Sequence, residues 1–163
     1  AAIVAVAPGP ALASRPAGRC PPIKDRARLE AFLIRNRCKL VDYRAWDCAR
    51  YAAAWLADSG HPVSLPHWSN KFGALRVIRR NGYRLADLMA DYAGSPTNPA
   101  RAPWGAIVAL PSPPLDALGI ADGSSAIFLA PDGGYTRRPL RAWMEMEYLQ
   151  WKKVQIPTLM ETL

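Results

Sequence analysis

The chain has 163 residues, of which half are hydrophobic, and a formal net charge of +8. This length is enough to bury a core without disulfides or metals, so the composition excludes a small cross-linked module and a disordered protein. The positive charge would suit nucleic acid, an anionic cell envelope or an acidic protein as partner, although a solvated basic face is the simplest interpretation.

Residues 1–23 are rich in alanine and proline. Pro8-Gly9-Pro10 and the lack of a basic residue ahead of the apolar stretch do not fit a signal peptide, and nothing later approaches the length of a membrane span. We expect an extended arm that docks on a neighbouring subunit, with a disordered tail as the alternative. A domain over residues 24–156 and a tail over 157–163 follow it.

Hydrophobic periodicity predicts four helices in the first half of the domain. They cover residues 24–36, 47–58, about 70 to 80, and 84–92. The second helix has the clearest signals, since Asp47 is a good N-cap and Ser59-Gly60 a good stop. The next loop holds His61 and His67, and its prolines exclude a regular helix.

Short apolar runs bounded by turn residues replace the helical period beyond Pro96. They predict strands at 104–110, 118–121, 125–130, 135–139 and 148–156. The turn Pro131-Asp132-Gly133-Gly134 makes the third and fourth of these a hairpin. Helices followed by a meander of strands predict an α+β domain, with the helices packed on a small antiparallel sheet.

Cys48 is the candidate nucleophile because it lies in the first turn of the second helix, where free N–H groups and the helix dipole favour the thiolate. A buried structural thiol on the apolar stripe of that helix is the simpler alternative. The spacing of Cys20, Cys38 and Cys48 lacks a CxxC doublet, so we expect reduced thiols, no metal site and no cofactor.

A cysteine that opens a helix and precedes a compact antiparallel sheet resembles the NlpC-type branch of the papain-like cysteine peptidases. The matching segments are Asp47-Cys48, Trp104-Gly105-Ala106-Ile107-Val108 and Ala117-Leu118-Gly119-Ile120. Over about residues 25 to 152 the chain is similar, more closely, to a small family of tailed-phage proteins encoded among tail-tip genes. That similarity adds Trp46, Phe72-Gly73-Ala74-Leu75 and Arg141-Ala142-Trp143.

The resemblance implies a papain-like, NlpC-type fold and a structural role in a phage tail tip or baseplate hub. It places the protein in the virion, and in the bacterial cytoplasm during assembly. The implied partners are other tail-tip or baseplate proteins, with peptidoglycan as a second candidate ligand. Nucleic acid is the least favoured partner, because the tryptophans are scattered and no nucleic-acid-binding motif is present.

Two departures from the NlpC pattern indicate a domain that has lost catalysis. Ala117 stands where the family has its catalytic histidine, and Ala106 where it has an acidic residue. Without an imidazole, a cysteine peptidase lacks its general acid and base. The alternative hypothesis is an active peptidase or amidase that cuts peptidoglycan during phage entry, with Cys48 as nucleophile, Asp47 beside it and His67 or His61 as the base.

Overall fold

The computed structural model describes residues 4–6, 23–80, 84–93, 96–97, 102–112 and 114–140. Within these ranges the helices are α1 (Ile23–Asn36), α2 (Cys48–Asp58), α3 (Lys71–Arg80) and α4 (Leu85–Ala93). The strands are β1 (Val4–Val6), β2 (Pro96–Thr97), β3 (Ile107–Ser112), β4 (Leu115–Ala121), β5 (Ser125–Leu129) and β6 (Tyr135–Pro139). The predicted α+β class is confirmed.

The strands form one sheet in the order β2-β1-β3-β4-β5-β6, with every neighbouring pair antiparallel. β3 to β6 make a meander, as the turn residues predicted. β1 lies within the predicted arm, yet its residues Val4–Val6 pair with Ile107–Ala109 of the protein's own sheet. These three residues are therefore part of the domain.

The two faces of the sheet have separate apolar clusters. Ile107 and Ala109 of β3 pack with the helices, together with Leu118 and Ile120 of β4. Val108 of β3 and Ala121 of β4 belong to a second cluster on the opposite face, together with Ala106 and, from β5, Ala126 and Phe128. Because successive side chains of a strand point to opposite faces, this alternation fixes which residues of β4 face the helices.

α2 begins and ends where its sequence predicted. The Asp47 side chain accepts a hydrogen bond from the Arg50 backbone N–H at 2.9 Å, which is the N-cap interaction. At the other end Gly60 has φ of +89°, and His61 N donates to Leu56 O at 2.8 Å. This arrangement is a Schellman motif, which favours glycine at the left-handed position.

Two side chains of α2 anchor it to the sheet. Tyr51 Oη donates to Ile127 O at 3.0 Å, and Trp55 Nε1 donates to Gly105 O at 2.8 Å. A Cβ at Gly105 would lie 3.0 Å from Trp55 Cζ2, and Gly105 has φ of +80°. Glycine is therefore strongly favoured here for the close approach of backbone and indole, and the Trp55 and Tyr51 hydrogen bonds together hold α2 on the sheet.

The remaining differences from the predicted elements have local causes. The strand predicted from residue 104 begins at Ile107, because Trp104 and Gly105 form a turn. The predicted strand at 148–156 and the tail at 157–163 lie outside the described residues. Among the described helices, none has the length and apolar composition that crossing a membrane requires.

Candidate functional site

Cys48 is the first residue of α2, and its side chain contacts β4. Cys48 Sγ donates a hydrogen bond to Asp116 O over 3.8 Å. Burial raises the pKa of the Cys48 thiol to about 11, and the nearby Asp47 carboxylate acts in the same direction, although backbone hydrogen bonds oppose both. The thiol is therefore protonated at neutral pH. The backbone N–H groups of Cys48 and Ala49 at the start of the helix lower this pKa, as expected, but burial outweighs them.

Asp47 is 3% exposed, and both of its carboxylate oxygens are occupied. Oδ1 accepts the capping bond from Arg50 N. Oδ2 accepts from Arg50 Nη1 at 2.6 Å and from the Trp68 indole Nε1 at 2.6 Å. Arg50 also lies over the Trp68 ring, 4.9 Å from its centroid. Asp47 thus joins the start of α2 to the end of the 61–68 loop.

The two histidines lie in that loop, where the sequence placed them. His67 is exposed and His61 is half-buried. Within the described ranges, the hydrogen bond of the Cys48 thiol goes to Asp116 O and neither imidazole takes part. Trp68 is held at the start of α2, whereas its neighbour His67 faces solvent. Asp47 adjoins Cys48 in the sequence, and among the described residues His67 makes no hydrogen bond or ion pair with either of them.

Asp116 is the site residue that the sequence did not reveal. It is buried on β4, and its carboxylate accepts from Arg84 Nη2 at 2.9 Å and from Ala86 N at 3.1 Å. Its carbonyl oxygen accepts the Cys48 hydrogen bond. Asp116 thus connects the thiol to the start of α4. The sequence held one signal for this position. Asp116 is two residues from Leu118, so in a strand its side chain lies on the face of Leu118, which packs against the helices.

Ala117 and Ala106 occupy the opposite side of the sheet from α2. Both pack in the second apolar cluster, with Val108 and Phe128. An imidazole at position 117 would start from the face that points away from the thiol. On the face that α2 covers, the corresponding β4 residues are Asp116 and Leu118.

The titratable side chains around Cys48 are either protonated, as the Tyr43 phenol is, or ion-paired with an arginine, as the two carboxylates are. Burial raises the pKa of Tyr43, with smaller contributions from Cys48 and Asp47, so its phenol is neutral. The Asp47 carboxylate is paired with Arg50, as is the Asp116 carboxylate with Arg84. In the described part of the chain, no three His, Cys, Asp or Glu side chains converge as a metal site would require. Among the described residues, which include both histidines, no imidazole is hydrogen-bonded to the neutral thiol to take its proton.

Fold and site together define an α+β protein in which a protonated thiol lies between a helix N-terminus and an antiparallel sheet. A family described as a domain of unknown function, DUF6950, matches residues 22–146. The chain belongs to this family. Neither the curated proteins nor the solved structures gave a match.

Proposed function

We propose that this protein is a structural component of a phage tail tip or baseplate hub, built on an NlpC-type domain that no longer catalyses peptide cleavage. The resemblance of its motifs to the tail-tip family supports the assignment to the virion. The position of Cys48, at the start of a helix that packs on an antiparallel sheet, supports the relationship to NlpC-type peptidases.

The main support for a loss of catalysis is that the Cys48 thiol is protonated and hydrogen-bonded to the backbone. Its pKa is raised to about 11 and its hydrogen bond is to a backbone carbonyl. A cysteine peptidase needs a thiolate, or an imidazole that removes the proton during attack. A thiol in this environment is suited to packing between α2 and β4.

The virion assignment is tested by quantitative mass spectrometry of purified phage particles from a host that expresses this gene. We expect the chain in a fixed ratio to the tail proteins, retained after a density gradient. A non-structural protein of the same phage is the control and should be lost in the gradient. Loss of this chain together with that control would exclude a structural role.

The alternative is an active cysteine peptidase or amidase that cuts peptidoglycan. The first-turn position of Cys48 favours it, because nucleophilic cysteines are commonly placed there. Its test is release of soluble fragments from purified cell walls by the full chain and by its Cys48→Ser variant. Cleavage that the substitution abolishes would establish the peptidase and overturn the loss of catalysis. We expect no cleavage by either protein.

A further inference from the structure

The outward face of α3 combines one exposed aromatic ring with three arginines. Phe72 is 77% exposed. Arg76, Arg79 and Arg80 are also exposed, and they follow Phe72 at i+4, i+7 and i+8. These spacings put all four side chains on one side of a helix, which we call the α3 face. The opposite side carries Ala74 and Ile78, the buried residues of α3.

The α3 face concentrates positive charge around one exposed ring. Some arginines of the described ranges pair with carboxylates, as Arg35 does with Asp58 and Arg84 with Asp116, whereas others, such as the exposed Arg28 and Arg44, make no ion pair with a described residue. The arginines of the α3 face make no ion pair with any described residue, and α3 contains no acidic residue. Arg79 and Arg80 lie in the last turn, where the helix dipole stabilises a cation. The dipole does not account for Arg76.

The like charges and the exposed ring of the α3 face are both energetically unfavourable in the isolated protein. Like charges three and four residues apart repel, and this applies to Arg76 with Arg79 and with Arg80. An exposed phenylalanine adds apolar surface in contact with water. An aromatic side chain surrounded by arginines is the composition of the energetically important part of a protein interface. An acidic partner surface would remove both disadvantages at once.

We propose that the α3 face binds an acidic polypeptide surface that carries an apolar side chain in contact with Phe72. Single-stranded nucleic acid is less well matched, because it is bound by a succession of exposed rings on which bases stack. Among the described residues, Trp46, Trp55 and Trp68 are buried. The proposal goes beyond the structural role in the virion and does not depend on it.

The test measures binding of the full chain to three labelled probes by fluorescence anisotropy. They are poly-glutamate, a random copolymer of glutamate and tyrosine, and single-stranded oligothymidylate. The triple variant Arg76→Glu, Arg79→Glu, Arg80→Glu should weaken binding of both polypeptides by about tenfold or more. Phe72→Ala should weaken binding of the copolymer by roughly fivefold and leave poly-glutamate unchanged.

The matched control is Arg28→Glu, Arg37→Glu, Arg44→Glu, which changes the net charge equally at exposed positions on α1 and the following turns. It should alter binding by less than about threefold. If it weakens binding as much as the α3 triple variant, net charge alone is responsible and the proposal fails. Tighter binding of oligothymidylate, dependent on the same arginines, would also overturn it. Far-ultraviolet circular dichroism checks folding, and an Arg→Gln triple variant replaces any charge-reversal variant that unfolds.

Discussion

The Cys48 sulfur and the Asp116 carbonyl oxygen are 3.8 Å apart, although they are 68 residues apart in the chain. Through this hydrogen bond the first turn of α2 is attached to β4. The Asp116 carboxylate binds Arg84 and the Ala86 N–H, so the same residue also fixes the start of α4. A thiol in this position connects two helices and a strand, and its proton is part of the connection.

The first prediction concerns the reactivity of Cys48. In a Cys20→Ser, Cys38→Ser variant, Cys48 is the remaining thiol. Because its pKa is about 11, a small fraction is thiolate at pH 8. We expect iodoacetamide to modify it at least about tenfold more slowly than it modifies an ordinary exposed thiol, after allowing for the higher intrinsic nucleophilicity of a basic thiolate. Mass spectrometry of timed samples gives the rate.

The control for this measurement retains the exposed Cys38 in a Cys20→Ser, Cys48→Ala variant. Both variants are also labelled in urea, where their rates should become equal. Native Cys48 that reacts as fast as Cys38 at neutral pH would contradict a partly buried, protonated thiol. Such a result would favour the peptidase alternative.

The second prediction is a loss of stability at alkaline pH that depends on Cys48. The folded-state pKa of about 11 lies above 9.0, the ordinary pKa of a cysteine thiol. Between these values the unfolded chain loses the thiol proton while the native protein keeps it, so the free energy of unfolding falls as pH rises. Relative to Cys48→Ala, the wild type should lose about 1 kcal/mol between pH 7 and pH 10. Urea unfolding at each pH gives the difference.

The comparison with Cys48→Ala is needed because other groups titrate in the same range. Burial raises the pKa of Tyr51, and it raises that of Tyr135 to about 12. Both phenols therefore also reduce stability at high pH, but they are present in both proteins and cancel in the difference. A difference that stays constant from pH 7 to pH 10 would show that the Cys48 pKa is not raised.

The third prediction concerns Asp47, which has three donors on one carboxylate. Asp47→Ala removes the N-cap of α2, which is worth about 1 kcal/mol. It also leaves the buried Trp68 N–H without an acceptor, at roughly 1 to 3 kcal/mol. We expect a decrease of about 3 kcal/mol in the free energy of unfolding, measured by urea denaturation.

Asp58 at the other end of α2 is the matched control. Its ion pair with Arg35 is largely exposed, and a carboxylate at a helix C-terminus opposes the dipole. Asp58→Ala should therefore change stability by less than about 0.5 kcal/mol. If both substitutions had the same effect, the Asp47 hydrogen bonds would not hold the start of α2.

The parts of the site that the sequence predicted are those that depend on neighbouring residues. The Asp47 cap bonds the N–H of Arg50, three residues on, and Gly60 ends α2 through bonds within the same turn. The hairpin at 131–134 follows from turn residues in the same way. In each of these interactions both partners lie within a few residues of each other, so the local sequence pattern is enough to predict it.

The parts that were not predicted depend on distant residues. The Asp116–Arg84 pair spans 32 residues, and neither residue has a local pattern that requires the other. The Cys48 pKa depends on how closely α2 packs on β4, so the local effect of the helix N-terminus does not give the net direction of the shift. Alignment of Ala117 with a catalytic histidine did not reveal that its side chain packs on the far face of the sheet.

The last prediction separates backbone strain from steric contact at two glycines. Gly60 has φ of +89° and Gly105 has φ of +80°, so alanine is strained at both positions, at a cost of about 1 to 2 kcal/mol. A Cβ at Gly60 would meet nothing within 4 Å, whereas one at Gly105 would lie 3.0 Å from the Trp55 ring. That ring also donates a hydrogen bond to Gly105 O. Gly105→Ala should therefore cost about 1 to 2 kcal/mol more than Gly60→Ala, measured by urea denaturation, because the indole must shift.

Tryptophan fluorescence is a second measurement of this contact. The Trp55 emission should change in Gly105→Ala alone, and equal losses of stability in the two variants would mean that Trp55 does not fix α2 on the sheet.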